Sequence, residues 1–528
     1  MAAEKQTQKQ PQNPAAKNMP AKAKDQPGNL KQEKSEKSTI GLTVKKDENF
    51  SEWYTQLCSE QGAKLADIRY GVQGFIVHRP WAFRILRKIY SLFEDAVELD
   101  GHEPFLFPTV IPEKNLMIEK EHAGFAPNVF WVTHEGEKKL EEQLALRPTG
   151  ETQIYPIYSL WIRSYNDLPF KGYQSRITTF RNEMTTRPFI RGREFMFFET
   201  HDVFAGHKDA LDQVRKDMGF SKSVIYDRLR IPFIFFKRPV WDRFLGAEAT
   251  YASDTIMPDG RRLQISSTHD LGQRFSKAYG IRFIDENGKE QHAWQTCYGP
   301  GIWRIMAAFI AIHGDDKGLV LPLELAPLQI VIVPIIFSDK PELNEKVLGR
   351  CREIEKEVSN LGYSVKIDDS KRSPGFKFNE WELMGVPLRI EIGPKEVDSD
   401  EATISRRTFK GKEKIKAKNL KKEIEKQAEL LDNEIQQKAD FYFKENTKEA
   451  KTLKEIVGIM SSHKGFVKAP FCSVDRDGER CADMLKSETG GCVICGENFE
   501  YPEKPKKEDK CIVCGKPAKH IIYVAKSY

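Results

Sequence analysis

Apolar residues return every three or four positions over residues 50–61 and again over residues 80–100, which predicts two amphipathic helices. The second opens with proline in its first turn, where a missing N–H does no harm. Beyond them the period falls to two. Extended stretches are expected at residues 103–108, 143–147, 176–181, 194–204, 250–257 and 260–267. Residues 303–312 are apolar on nearly every side and predict a helix buried all round. Strands following one another with few crossover helices suggest an antiparallel α+β domain, not a doubly wound nucleotide fold. The pattern changes near Pro322 to Pro327. A continuous apolar strand (328–336), a helix (343–361), a strand (364–367), a helix (378–384) and a strand (388–392) then alternate, as in a small α/β domain with a mostly parallel sheet. Residues 410–438 form a basic-to-mixed segment continuing as a helix, with Ile424, Ala428, Leu431 and Ile435 at helical spacing. The remainder to Tyr528 is a third folded unit that carries most of the cysteines.

The first 45 residues read differently. Up to Ser38 they are mainly Lys, Gln, Pro, Ala, Asn and Glu without an aromatic ring, and such a segment cannot bury enough apolar surface to offset its ordering entropy. Disorder is expected there, serving weak attraction for RNA or solubility alone. Across 528 residues, 83 basic and 77 acidic side chains leave a net charge of +6. That total does not indicate a nucleic-acid partner, although local basic clusters can. No apolar run is long enough for a membrane span, and no signal-peptide core stands at the start. A cytoplasmic protein with no membrane partner is expected. Of nine cysteines, Cys472, Cys481, Cys492, Cys495, Cys511 and Cys514 lie close together and suggest a reduced metal-binding cluster rather than a disulfide framework.

Candidate chemistry concentrates between Thr179 and Glu199. Arg181 and Glu183, two apart on a predicted strand, point to one face. A turn-rich loop then returns Arg191, Phe195 and Glu199 beside them. This grouping can hold a nucleotide. Arg181 can clamp phosphate or carboxylate oxygens with two donors at once. Phe195 can stack an adenine, Glu183 can accept from its exocyclic amine, and Arg191 can reach outer phosphates. A surface hairpin with salt bridges is the plain alternative for an isolated Arg-x-Glu. Further on, Gly299-Pro300-Gly301-Ile302-Trp303-Arg304 opens the buried helix with small residues that permit close backbone approach. On its own it is no more than a helix start.

Taken in order, these segments resemble the class II aminoacyl-tRNA synthetases. Residues 103–108 resemble motif 1, the dimer-interface strand; residues 179–199 resemble motif 2; Gly299 to Arg304 resemble motif 3, whose arginine meets the outer phosphates of ATP. The Gly-Lys-Ser/Thr loop of P-loop enzymes is missing, as are the class I signatures. Leu146-Arg147-Pro148-Thr149-Gly150-Glu151-Thr152 is similar to the segment that binds the substrate amine in prolyl-tRNA synthetases, and Thr149 and Glu151 on one extended segment offer acceptors to a protonated amine. The same resemblance puts Glu199 and His201 in the amino-acid pocket. Within Gln264-Ile265-Ser266-Ser267-Thr268-His269 it puts Gln264 and Ser267 at ATP and metal, and His269 in the pocket. Either histidine alone could be a satisfied, partly buried one. Three positions depart from the family pattern: Phe197 where tryptophan is common, Cys297 for a serine, and Trp303 for a small or polar residue.

The second domain carries independent resemblance. Residues 374–394 are similar to the anticodon-binding domain of prolyl-tRNA synthetases, which implies contacts to guanine from Phe378, Glu382, Arg389 and Lys395. Arginine can grip guanine O6 and N7, a carboxylate can accept from its amines, and an aromatic ring can stack on an unpaired base. For the cysteines two accounts compete. Spacing favours Cys492-x2-Cys495-x15-Cys511-x2-Cys514, a four-cysteine zinc ribbon. Family resemblance, read from the flanks, favours Cys472, Cys481, Cys511 and Cys514. Residues 526–528 match the archaeal and eukaryotic branch, whose last tyrosine packs toward the catalytic domain. The interval from His201 to Gln264 is too short for the inserted editing domain of bacterial forms.

The resemblance covers residues 49–528. It implies an α+β catalytic domain with an antiparallel sheet (46–325), an α/β anticodon-binding domain (326–430) and a small zinc-binding α/β domain (431–528). It also implies Arg181 and Arg304 as catalytic residues, ATP with Mg²⁺, structural Zn²⁺, L-proline and tRNA(Pro) as substrates, and a homodimer. Synthetase paralogues can lose catalysis and persist as tRNA-binding proteins; intact Arg181, Glu183 and Arg304 argue against that here.

Overall fold

The computed structural model describes residues 41–123, 129–337, 339–462 and 465–528. The segment expected to be disordered, up to Ser38, lies outside them. Residues 41–45, assigned above to the extension, fold onto the body: Gly41 N donates to Gln61 O at 3.1 Å, and Leu42 and Val44 pack against the main core.

An eleven-stranded sheet forms the largest layer of the structure. Its order runs Thr447–Glu449, Phe466–Phe471, His520–Lys526, Cys492–Asn498, Ile234–Lys237, Ala249–Ile256, Arg262–Gly272, Trp294–Pro300, Glu194–Phe204, Phe170–Phe180, Glu103–Pro104. All pairings are antiparallel except those of the two edge strands. The C-terminal segment is therefore not a separate layer. Its strand Cys492–Asn498 pairs with Ile234–Lys237 (Glu497 opposite Lys237, Asn498 opposite Phe236) and extends this sheet. Sequence periodicity could not show this, because the register joins residues far apart in the chain.

Strand alternation then divides the sheet into two faces. Phe198 and Tyr298 join the main core beneath the helices Ile302–His313 and Pro80–Glu98. Phe197, Glu199, Ser267, His269, Cys297 and Gly299 face the opposite way, into a cavity. The helix Ile302–His313 is buried on almost every side, as its composition predicts. The helix Pro80–Glu98 carries Pro80 at its start and buries Ile85, Leu86, Ile89, Phe93 and Val97 along one stripe.

Several expected elements differ. The first helix ends at Cys58 rather than 61, because Gly62 is packed under Leu57, where an added Cβ would lie 2.5 Å from Leu57 O. The stretch expected at 103–108 pairs only as Glu103–Pro104. The strand at 143–147 belongs to a separate three-stranded sheet as Lys138–Leu146. The helix His207–Ser221 was not anticipated, because only Ala210, Val214 and Met218 mark its buried stripe among charged residues. In the second domain, Val365–Ile367, Ile330–Pro334 and Leu388–Ile392 are parallel, but Glu401–Arg406 and Glu413–Lys416 add antiparallel, so that sheet is mixed. The segment 410–438 therefore begins as a strand, with Ile415 alone buried among charges, and becomes helical only over Leu420–Glu445.

Candidate active site

A cavity of about 350 Å³ opens on the free face of the eleven-stranded sheet. One end is basic. Arg181 lies just past the end of the strand Phe170–Phe180 and not on it, so the Arg-x-Glu pair is turned by loop geometry: Arg181 N donates to Arg193 O at 2.9 Å, and Glu183 N donates to Arg181 O at 3.0 Å. The Arg181 guanidinium sits 5.8 Å from the centroid of the Phe195 ring. Arg191 faces Glu183 at 3.5 Å and donates to the main-chain oxygen of Tyr528. Arg304, in the first turn of the buried helix, donates to Gln264 O at 3.4 Å. Burial, followed by the charges of Arg181 and Arg191, pulls Arg304 down to about 10, so it stays cationic at neutral pH. Three guanidiniums at one end of a concave site favour an anion.

The other end is acidic. Glu151 is the first residue of the helix Glu151–Trp161, so Thr149 and Glu151 do not share one extended segment; the Thr149 hydroxyl donates to the Glu151 carboxylate. Glu199 accepts from Gln174 Nε2 at 2.6 Å and presses against Gly150, where an added Cβ would lie 2.2 Å from Glu199 Oε1. Gly150 is required there for space. His269 holds Thr250 Oγ1 at 3.0 Å through Nδ1 and Ser267 Oγ at 3.1 Å through Nε2. Burial, aided by the positive charges of His201 and Arg238, pushes it down to about 3, leaving it neutral. His201 does not line the cavity. It stands behind, 3.0 Å from Glu199 Oε2 and 2.9 Å from the Tyr155 hydroxyl. Burial works against its charged form, but Glu199 outweighs that and raises its pKa.

The structure thus brings together Arg181, Glu183, Arg191, Phe195, Phe197, Gln264, Ser267, Arg304, Thr149, Glu151, Glu199 and His269 around one space. Arg238 and Arg262, which no sequence motif singles out, also line the cavity. Arg238 Nη2 donates to Asp254 at 2.7 Å and to Gln264 Oε1 at 3.2 Å, and Arg262 pairs with the other oxygen of Asp254 at 2.7 Å. Arg262 shares a strand face with Gln264, two residues on, which was a usable signal. Arg238 comes from a remote segment and left none. Trp303 also reaches the cavity, and it fits because Gly192 has no side chain: a Cβ there would meet the indole at 2.5 Å.

In the second domain, Arg389 lies 4.1 Å from the centroid of Phe378, and Lys412, not singled out from sequence, lies 5.0 Å from the same ring. Both cations also pair with Glu391, at 3.0 and 2.6 Å. Glu382 is engaged elsewhere, with Lys317 at 2.6 Å, and Lys395 is exposed on the short helix Pro394–Ser399. Near the C-terminus, the sulfurs of Cys472, Cys481, Cys511 and Cys514 lie within 4.8 Å of one another. Cys492 and Cys495 do not join them. They sit three apart on a strand, so their side chains go to different cores, Cys492 with Phe471 and Cys495 with Phe236.

An antiparallel sheet carrying an arginine-lined cavity, with a glycine-led arginine helix behind it, defines a class II aminoacyl-tRNA synthetase. Residues 130–313 match the tRNA synthetase class II core domain (G, H, P, S and T), and residues 329–427 match an anticodon binding domain. Residues 453–528 match the prolyl-tRNA synthetase C-terminal domain. The proline--tRNA ligase of Thermofilum pendens is 52% identical over 93% of this chain and all of its own length. That of Methanopyrus kandleri is 41% identical over 91% of this chain and 96% of its own. Two solved structures are also similar. The Giardia lamblia prolyl-tRNA synthetase in complex with prolyl-adenylate has a TM-score of 0.88 at 35% identity, over 92% of this chain and 100% of that one. The Cryptosporidium parvum enzyme complexed with halofuginone and AMPPNP has a TM-score of 0.86 at 33% identity, over 94% and 99%. The chain belongs to the prolyl-tRNA synthetases, the proline--tRNA ligases of class II.

Proposed function

We propose that the cavity performs both halves of the proline--tRNA ligase reaction in the following roles. The observation that carries this reading is the division of one space into an end with three arginines and an end with two carboxylates. ATP occupies the basic end: Phe195 stacks adenine, Glu183 accepts from its amine, Ser267 contributes a polar contact, and Arg191 and Arg304 hold the outer phosphates. The secondary amine of L-proline faces Thr149, Glu151 and Glu199, with Phe197 and His269 walling the ring and His201 supporting Glu199 from behind. The proline carboxylate attacks the α-phosphorus in line and pyrophosphate leaves. Arg181 bridges carboxylate and α-phosphate, so catalysis is positioning and charge neutralisation without a protein nucleophile. A hydroxyl of the terminal adenosine of tRNA(Pro) then attacks the prolyl carbonyl and AMP leaves.

Mg²⁺ fits as a companion of the ATP phosphates rather than a resident ion, because Gln264 offers a lone side-chain oxygen that already accepts from Arg238. Bound Mg²⁺ would neutralise phosphate charge. The four-cysteine cluster suits Zn²⁺: four thiolates at such distances approach the sulfur separation of about 3.8 Å in a tetrahedral zinc site and leave no open position, which makes the metal structural. Phe378 and Glu382 on the helix Pro374–Leu383, Arg389 on the strand Leu388–Ile392 and Lys395 on the helix Pro394–Ser399 read the anticodon. The edge strand Glu103–Pro104, flanked by exposed Leu99 and Leu106, is the face we assign to a homodimer partner. Among the described residues no helix is long and apolar enough to cross a membrane, and the enzyme is assigned to the cytoplasm. Proline-dependent ATP–pyrophosphate exchange tests the core of this reading. Its absence in the folded protein would leave the chain a tRNA-binding homologue without the activation step.

A further inference from the structure

A second donor set of a different kind lies at the floor of the cavity and just behind it. A carboxylate oxygen of Glu151, a ring nitrogen of His201 and the sulfur of Cys297 lie within 4.8 Å of one another, and all three residues are buried. Three elements aim them there: the first turn of the helix Glu151–Trp161, the strand Glu194–Phe204 and the strand Trp294–Pro300. Cys297 and His201 are direct cross-strand partners, so the sheet register itself fixes the sulfur beside the imidazole. His201 Nδ1 is held by the Tyr155 hydroxyl at 2.9 Å, and its buried Nε2 faces Glu199 Oε2 at 3.0 Å. One ring nitrogen is thus oriented by a neighbour, as in metal-bound histidines, and the other is shared with a carboxylate that a dication would have to displace. The Thr149 hydroxyl orients Glu151 in the same way.

We propose that this floor binds a borderline-soft divalent cation, Zn²⁺ above all, in competition with the amino acid. One sulfur, one imidazole nitrogen and one carboxylate oxygen are the ligand types zinc takes, and three protein donors leave the fourth position for water. A hard ion such as Mg²⁺ has no use for the sulfur. Burial, and after it the negative charges of Glu151, Glu199 and Asp202, hold the proton on the Cys297 thiol. A dication entering the same field is stabilised by it and lowers the thiol pKa in turn. Binding forms a metal–sulfur bond and releases the thiol proton, together with any proton on His201 Nε2, to solvent. The occupied site overlaps the space assigned to the proline amine, so the competition rests on that assignment while the metal site does not.

The test uses the full chain stripped of metal, reloaded with one equivalent of Zn²⁺ to fill the four-cysteine cluster and then titrated with Co²⁺, comparing wild type, Cys297→Ser and His201→Gln. The wild type is expected to take up one more cobalt than either variant, with a thiolate-to-cobalt absorption band that Cys297→Ser lacks. Unchanged zinc content at the Cys472 cluster and an unchanged thermal transition show that each variant is folded. Saturating L-proline should abolish the extra band. Identical cobalt spectra in wild type and Cys297→Ser overturn the metal site. A wild-type band that survives proline overturns the competition, while pyrophosphate exchange reports separately on the amino-acid assignment.

Discussion

The Arg238 guanidinium donates to Asp254 at 2.7 Å and to the carbonyl of Cys495 at 2.6 Å, so one buried side chain ties the centre of the catalytic sheet to its C-terminal extension. Burial pushes Asp254 up, but Arg238 and Arg262 outweigh it and hold the carboxyl below its usual range. Replacing Arg238 by Met leaves Asp254 with Arg262 alone and orphans the Cys495 carbonyl. Removing one partner of a buried pair costs about 3 kcal/mol. Urea unfolding of Arg238→Met should show a loss of that size; a wild-type midpoint would make Arg238 dispensable to the join.

Arg181 is expected to dominate activation. Arg181→Ala should slow proline-dependent pyrophosphate exchange by about 2.7–4 kcal/mol in barrier, the usual worth of one transition-state donor. Lysine should not restore it, because a point charge cannot bridge a carboxylate and a phosphate as a fork does. Near-normal exchange in folded Arg181→Ala would remove this residue from the mechanism.

Much of the site was legible because its parts are contiguous. Gly299 to Arg304 mark a helix start by residue type, and the loop from Arg181 to Phe195 returns on itself within one hairpin. What could not be read came from long-range register. Nothing near Lys237 signals that Glu497 pairs with it, and nothing near Arg238 points to Asp254 and Gln264. Thr149 and Glu151 read as one extended segment, yet Gly150 is the N-cap and Glu151 the first residue of a helix. The strand Glu413–Lys416 was hidden by the same lysines and glutamates that favour a solvated helix.

The second domain should separate tRNA recognition from chemistry. Arg389 stacks on Phe378 and is held by Glu391, so its guanidinium is preorganised. Arg389→Ala should weaken charging of tRNA(Pro) by about 1–3 kcal/mol, the worth of a bidentate base contact. Activation of proline without tRNA should be almost unchanged. If both reactions fall together, Arg389 is a structural residue.

A buried acid under the sheet should make stability depend on pH. Asp217 accepts from Thr268 Oγ1 at 2.8 Å and from Gln213 Nε2 at 3.0 Å, and burial with the neighbouring charge of Asp202 pushes it up to about 7. The folded state therefore binds a proton more tightly than the unfolded chain, whose aspartates titrate near about 3.9. Stability then falls as pH rises between those two values and levels off above the higher one. Asp217→Asn cannot lose that proton. Its stability relative to wild type should improve by at least about 1.4 kcal/mol between pH 5 and pH 8, one pKa unit's equivalent. Parallel stability curves for the two proteins would contradict the linkage.

The cysteines give the sharpest choice between two accounts of one sequence. Spacing favours Cys492 and Cys495 as partners of Cys511 and Cys514. A strand sends residues three apart to opposite faces, however, and these two thiols end in different cores. Cys472 follows the end of the strand Phe466–Phe471 and Cys481 lies in the first turn of the helix Glu479–Glu488, so a strand end and a helix start can converge on the knuckle formed by Cys511 and Cys514. Bound zinc measured by mass spectrometry should be lost from the Cys472→Ser, Cys481→Ser double variant and retained by Cys492→Ser, Cys495→Ser. Chelation of the wild type should loosen the C-terminal segment first, seen as faster proteolysis after Lys506 or Lys507, because the metal closes only that part of the sheet. Loss of zinc in the second double variant alone would reverse the ligand assignment, and a wild-type protein without zinc would refute both accounts.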